Sequence, residues 1–175
     1  MGEFPRADDD TVIPMDLVKA AIERDVTLTA SEPVVWGLDV ARYGGDNSAL
    51  CVRQGNTVLE IKTFNSMDLM QLCGAIKNRY DDCTTLERPQ EILIDVIGLG
   101  SGVVDRLAEQ NLPVRGVNVA EAPATKKNYL NLRAELWFAI KDWLAQRDCR
   151  LPNDDDLVSE LAAPLYKYTL SLIHI

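Results

Sequence analysis

Two aspartates, Asp39 and Asp95, each close a short apolar run and each precede a glycine-containing turn. Asp39 follows Val34-Val35-Trp36-Gly37-Leu38 in VVWGLDVARYGGD, and Asp95 follows Ile92-Leu93-Ile94 in EILIDVIGLGSG. Apolar runs of this length, bounded by turn residues, predict strands of a sheet covered on both faces. A carboxylate at the carboxyl end of such a strand stands where α/β sheets place their ligands. Two carboxylates brought together repel unless something cationic lies between them, and a divalent metal is the usual answer. A metal-dependent site is the leading expectation, with Asp39 and Asp95 as ligands. Each has a simpler role to set beside it: Asp39 as a strand end paired with Arg42, and Asp95 as the cap of the following turn and helix. Asp46 reads first as a turn residue before the next strand, with a supporting metal or water contact as its second role.

Much other chemistry is excluded. The single histidine, His174, is the penultimate residue, so Ser-His-Asp or Cys-His catalysis has no imidazole and a His/Cys zinc site is not expected. The four cysteines (Cys51, Cys73, Cys83 and Cys149) show no CxxC or CxxH spacing. They read as free thiols, Cys51 and Cys73 within apolar segments, and fit a reducing compartment. No GxxxxGK[ST] loop occurs, and glycines 98, 100 and 102 do not complete GxGxxG because Val103 stands where the last glycine belongs. They predict a turn whose backbone passes close to a neighbour. No apolar run reaches the ~18 residues of a membrane span, and the start, MGEFPRADDD, has no signal-peptide core. A net charge of −9 over 175 residues argues against tight passive binding to nucleic acid. It leaves room for an enzyme that approaches DNA through metal ions and a local basic strip.

The elements that would position these residues follow from periodicity. Helices are expected at 14–24, 67–80, 103–110, 128–146 and 154–162, and strands at 34–40, 47–53, 57–63, 91–95, 114–119 and from Leu165 to Thr169. The 128–146 helix should bury Leu132, Leu136, Ile140 and Trp143 along one face, with Trp137 and Trp143 in the core. Asp154, Asp155 and Asp156 read as the negative start of a helix capped by Asn153 or Asp154, and Asp105 as a partner of Arg106 or of solvent. Three strands and then alternating helices and strands is the order of a ribonuclease-H-like α/β fold. That fold has a mixed sheet, an antiparallel three-strand meander, central parallel strands and helices on both faces. Its first and fourth strands lie side by side, which would bring Asp39 and Asp95 together.

With these motifs placed, the sequence resembles the C-terminal nuclease domain of the large terminase subunit of tailed bacteriophages. The segments that carry the resemblance are GEFP (2–5), WGLDVARYGGDNSAL, ILIDVIGLGSGVVDRL, YLNLRAELW and LVSELAAPLYKY, in this order. The resemblance implies an endonuclease that cuts concatemeric double-stranded DNA with two Mg²⁺ or Mn²⁺ ions. Asp39 and Asp95 match the family's first- and fourth-strand acids. It also implies the small terminase subunit and the portal as partners, and the cytoplasm of the infected bacterial host as location. Lys126, Lys127 and Arg133, beside Asn128 and Asn131, form the best basic cluster for a DNA strand, with Arg42 near Asp39; a solvated helix entrance is the simpler reading of that cluster.

The family's third acid lies in a C-terminal Ser-Pro-Asp-x-x-Asp-Ala segment, and this sequence has none. Residues 170–175 (LSLIHI) match the translation of a sequencing-library transposon adapter and are expected to be a non-native tail. Residues 1–30 are expected to be a linker and helix after an absent ATPase domain, and 31–169 an incomplete nuclease domain. Three alternatives stay open: another ribonuclease-H-like enzyme such as a junction resolvase, an actin-like ATP-binding module in which DVARYGGDNSA would be a phosphate loop, and an inactive piece.

Overall fold

The computed structural model describes residues 11–41, 47–125, 128–169 and 172–175. It divides into two compact units: residues 25–119 with 150–152, and residues 11–24, 120–149 and 153–175.

The first unit is built on a five-stranded sheet: β1 (Val34–Asp39), β2 (Ser48–Gln54), β3 (Thr57–Phe64), β4 (Glu91–Asp95) and β5 (Val114–Val117). The strand order is β3-β2-β1-β4-β5. β1, β2 and β3 form an antiparallel meander, and β1–β4 and β4–β5 are parallel, as expected for the ribonuclease-H-like class. Gly55, with φ +51°, makes the tight β2–β3 turn. Along β1 and β4 buried and half-buried residues alternate, so Val34, Trp36, Leu38, Ile92 and Ile94 share one face. That face is covered by α2 (Leu69–Asp82) through Leu72, Cys73 and Ile76, and by α3 (Gly100–Glu109) through Val103 and Leu107. α2 starts two residues later than its apolar pattern suggests because Asp68 and Gln71 form a reciprocal capping box.

The second unit holds α1 (Met15–Glu23), α4 (Leu132–Ala145), α5 (Asp155–Ala162) and a two-stranded antiparallel sheet, β6 (Lys167–Thr169) with β7 (Leu172–His174). α1 packs against α4 and α5. Rings of Tyr129, Phe138, Tyr166 and Tyr168 follow one another at centroid spacings of 5.3, 5.4 and 5.6 Å.

α4 corrects the sequence reading twice. It begins at Leu132 rather than Asn128, because the Asn131 side chain accepts from Ala134 N at 3.0 Å and caps it there. Its buried residues are Ala134, Glu135 and Leu144, whereas Leu136 is 42% exposed and Trp137 and Trp143 are only half-buried. The small Ala134 permits close packing where periodicity favoured the large side chains. All four cysteines are free, and burial pushes each thiol up.

The turn between β4 and α3 fixes the backbone at Asp95. Gly98 has φ +80°, a conformation that disfavours any side chain. A Cβ on Gly100 would stand 1.8 Å from the Asp95 carbonyl oxygen, whereas one on Gly102 meets nothing within 4 Å. Gly100→Ala should cost about 2–4 kcal/mol. Gly102→Ala should be neutral or should stabilise α3 by about 0.5–1 kcal/mol. Urea denaturation of both variants checks the contrast. Ile76→Ala, in the core under α2, should cost about 2–5 kcal/mol in the same measurement.

Candidate metal centre

Strand register brings the two aspartates together. In the parallel β1–β4 pair, Leu38 stands opposite Ile94. Asp39 and Asp95 therefore occupy the next rung at the carboxyl ends of neighbouring strands, which lie about 5 Å apart. Both have the parity opposite to Leu38 and Ile94, so they stand on the face away from the α2/α3 core. Asp39 is exposed and Asp95 half-buried.

The backbone around both is held. Asp95 Oδ1 accepts from Ile97 N at 3.0 Å, which turns the carboxylate toward the β4–α3 turn. Val96 N donates to Val117 O at 3.0 Å and carries the β4–β5 ladder one step past Asp95. On the other side Asp39 pairs with Ala49 of β2. The Ala41 amide donates to Ser48 Oγ at 3.0 Å, with Ser48 buried, so both ends of the β1–β2 connection are tied together.

Two carboxylates on adjacent strands offer hard oxygen donors of the kind Mg²⁺ and Mn²⁺ prefer, and their mutual repulsion favours a cation between them. The donor chemistry fits such an ion. Among the described residues, no group of three or more His, Cys, Asp or Glu side chains could hold a metal.

Of the other expected site residues, Arg42, Asp46, Lys126 and Lys127 lie outside the described residues. Arg133 is exposed in the first turn of α4, in the second unit. Asp154 caps α5, its Oδ1 accepting from Leu157 N at 2.9 Å, and Asp155 and Asp156 fill the first turn. Arg106 pairs with Glu109 at 3.0 Å rather than with Asp105, because i,i+3 places the two on one helix face.

Sequence reasoning passed over Glu135, which is only 7% exposed. Its Oε2 accepts from Ala124 N at 2.5 Å, and its Oε1 accepts from Thr125 N at 3.0 Å and from the Thr125 hydroxyl. With the helix expected from residue 128, Glu135 fell beyond the first turn; only the observed start at Leu132 places it there, where the helix dipole favours a carboxylate.

No helix among the described residues is long and apolar enough to cross a membrane. The sequence matches no protein-family model and no curated protein. Solved structures do match. The nuclease domain of the large terminase subunit gp2 of bacterial virus Sf6, in a variant with manganese and beta-thujaplicinol, superposes with a TM-score of 0.73 at 17% identity, over 93% of this chain and 86% of that one. Another structure of the Sf6 gp2 nuclease domain gives 0.71 at 16% identity, over the same shares. The large terminase nuclease of thermophilic phage G20c with bound magnesium gives 0.69 at 14% identity, over 95% of this chain and 87% of that one. The chain thus has the ribonuclease-H-like fold of the large-terminase nuclease domains, as its sequence motifs led one to expect.

Proposed function

We propose that this chain is the nuclease domain of a phage large terminase and hydrolyses phosphodiester bonds of double-stranded DNA during genome packaging. The observation that carries this reading is the parallel register of Leu38 with Ile94, after which Asp39 and Asp95 are the next residues at the carboxyl ends of the two adjacent strands. The likeness to terminase nuclease domains solved with manganese and magnesium supports it.

In this reading residues 31–169 are the nuclease domain, and Asp39 and Asp95 hold two divalent ions with Asp46 in support. Bound there, Mg²⁺ or Mn²⁺ supplies an activated water and stabilises the leaving oxygen of an in-line displacement. Asp95 is oriented by the Ile97 amide, so its carboxylate is set before an ion arrives. Lys126, Lys127, Arg133 and Arg42 contact phosphates and hold the strand. With a net charge of −9, binding depends on those local cations and on the ions, and weakens steeply with salt. The small terminase subunit and the portal are the partners of the packaging complex, and the host cytoplasm is where it works.

The test has two readouts, Mn²⁺ binding followed by the loss of the free-ion paramagnetic signal, and nicking of supercoiled plasmid. Asp39→Asn and Asp95→Asn should each weaken Mn²⁺ binding. Each should lower cleavage by about a hundredfold or more, the worth of a few kcal/mol of transition-state stabilisation. Mn²⁺ binding and cleavage that survive both substitutions would remove this site from the reading.

A further inference from the structure

We infer that the groove between α2 and the outer strands β2 and β3 is a peptide-binding site. It takes one apolar residue of an extended segment of neutral or basic character, and the Trp36 indole N–H donates to a backbone carbonyl of that segment. The inference is independent of the proposed reaction, since Asp39 and Asp95 stand on the other face of the sheet.

Three observations within the first unit carry it. A cavity of about 580 Å³ opens between α2 and the β1–β3 meander, a size typical of ligand sites. Its sheet side is apolar, with Val34, Trp36 and Val52, and Leu59 of β3 adds a side chain that is 45% exposed. Next, Trp36 is only 1% exposed, yet its indole Nε1 has no hydrogen-bond partner among the described residues. A buried indole N–H ordinarily finds an acceptor, and one left without it loses its hydration for no return. The Nε of Arg79, which also lines the cavity, is buried and unpartnered in the same way. Finally, Arg79 covers Trp36. Its guanidinium carbon lies 5.5 Å from the ring centroid, and its Nη2 is 2.5 Å from Oε2 of Glu60 on the edge strand β3. Both side chains of that ion pair are partly exposed, where such a pair contributes little, so the guanidinium swings aside at small cost.

The chemistry of the lining selects the occupant. Both unused groups are donors, so the ligand has to bring an acceptor oxygen. Glu60, Asp82 and Glu87 outnumber Lys62 and Arg79 around the cavity. A carboxylate or phosphate therefore meets net repulsion there, and a neutral carbonyl does not. The apolar floor calls for a hydrocarbon group beside that carbonyl. A peptide carries this combination at each of its apolar residues. β3 ends the sheet, so an edge strand flanks the groove and an extended chain can lie along it. The surplus of acids favours Lys or Arg beside the inserted residue.

The experiment is an NMR titration of the full chain with acetylated, amidated tripeptides that carry Leu, Ile, Met or Phe between two glycines. The Trp36 indole N–H signal is assigned by elimination with Trp137→Phe and Trp143→Phe. At least one of these peptides should move that signal downfield and saturate with a dissociation constant of about 1 mM or tighter. The same peptide with Ser at its centre should bind at least about tenfold more weakly. Trp36→Phe should weaken the apolar peptide about five- to tenfold, the worth of one hydrogen bond. Leu59→Thr changes an exposed position; it should weaken binding about threefold, and it decides the location if Trp36→Phe does not fold. If no tripeptide gives a saturating shift below about 20 mM, the cavity takes water only and the inference is overturned. Binding that is untouched in both variants lies elsewhere and overturns it too. If a single capped leucine binds as tightly as the tripeptide around Leu, the site takes a small amide and its assignment to a peptide fails.

Discussion

The parallel pairing of β1 with β4 at the centre of the five-stranded sheet is the constraint on which the rest of the first unit depends. Side chains alternate along a strand, so a slip of one residue exchanges the two faces. With Leu38 opposite Ile94, the apolar set of Val34, Trp36, Leu38, Ile92 and Ile94 meets α2 and α3, and both aspartates fall on the other face. A one-residue slip of β4 against β1 would bury Leu93 and a carboxylate in place of Ile92 and Ile94. The cost of that burial is far above anything packing returns. The core and the acidic pair are two results of one register, and the hydrophobic demand of the core holds the carboxylates together against their repulsion.

The turn after β4 shows how close that constraint reaches to the chemistry. α3 begins so near the end of β4 that the Asp95 carbonyl leaves no room for a side chain at Gly100. The left-handed Gly98 lets the chain reverse in a few residues, and the Ile97 amide takes up the Asp95 carboxylate on the way. The same short turn docks α3 on the core and aims the acid. Glu135 plays a comparable part in the second unit, where a buried carboxylate organises backbone amides from a loop that has no regular structure to satisfy them.

Charge sets the terms for any encounter with DNA. A chain with nine more acids than bases gains nothing from its overall field when it approaches a polyanion. Favourable contact has to be local, through divalent ions between carboxylates and a few well-placed Lys and Arg side chains. In the proposed reading, geometry more than charge count would determine affinity.

Local chemistry in the sequence determined much of this protein. The apolar runs marked β1 and β4 with both aspartates at their ends, the glycines marked the β4–α3 turn, and Asp154 was available as a cap. These signals act over a few residues, through sterics and short-range hydrogen bonds, and are legible without the fold. The order of elements led to the expectation that Asp39 and Asp95 converge, and tertiary structure decided which rung of β4 faces which rung of β1, since register is set by packing between residues far apart in the chain. It also decided that α4 buries Ala134 and Glu135 in place of Leu136. Periodicity identifies which residues prefer to leave water, but only the surrounding chain decides whether a carboxylate finds enough donors to leave it too.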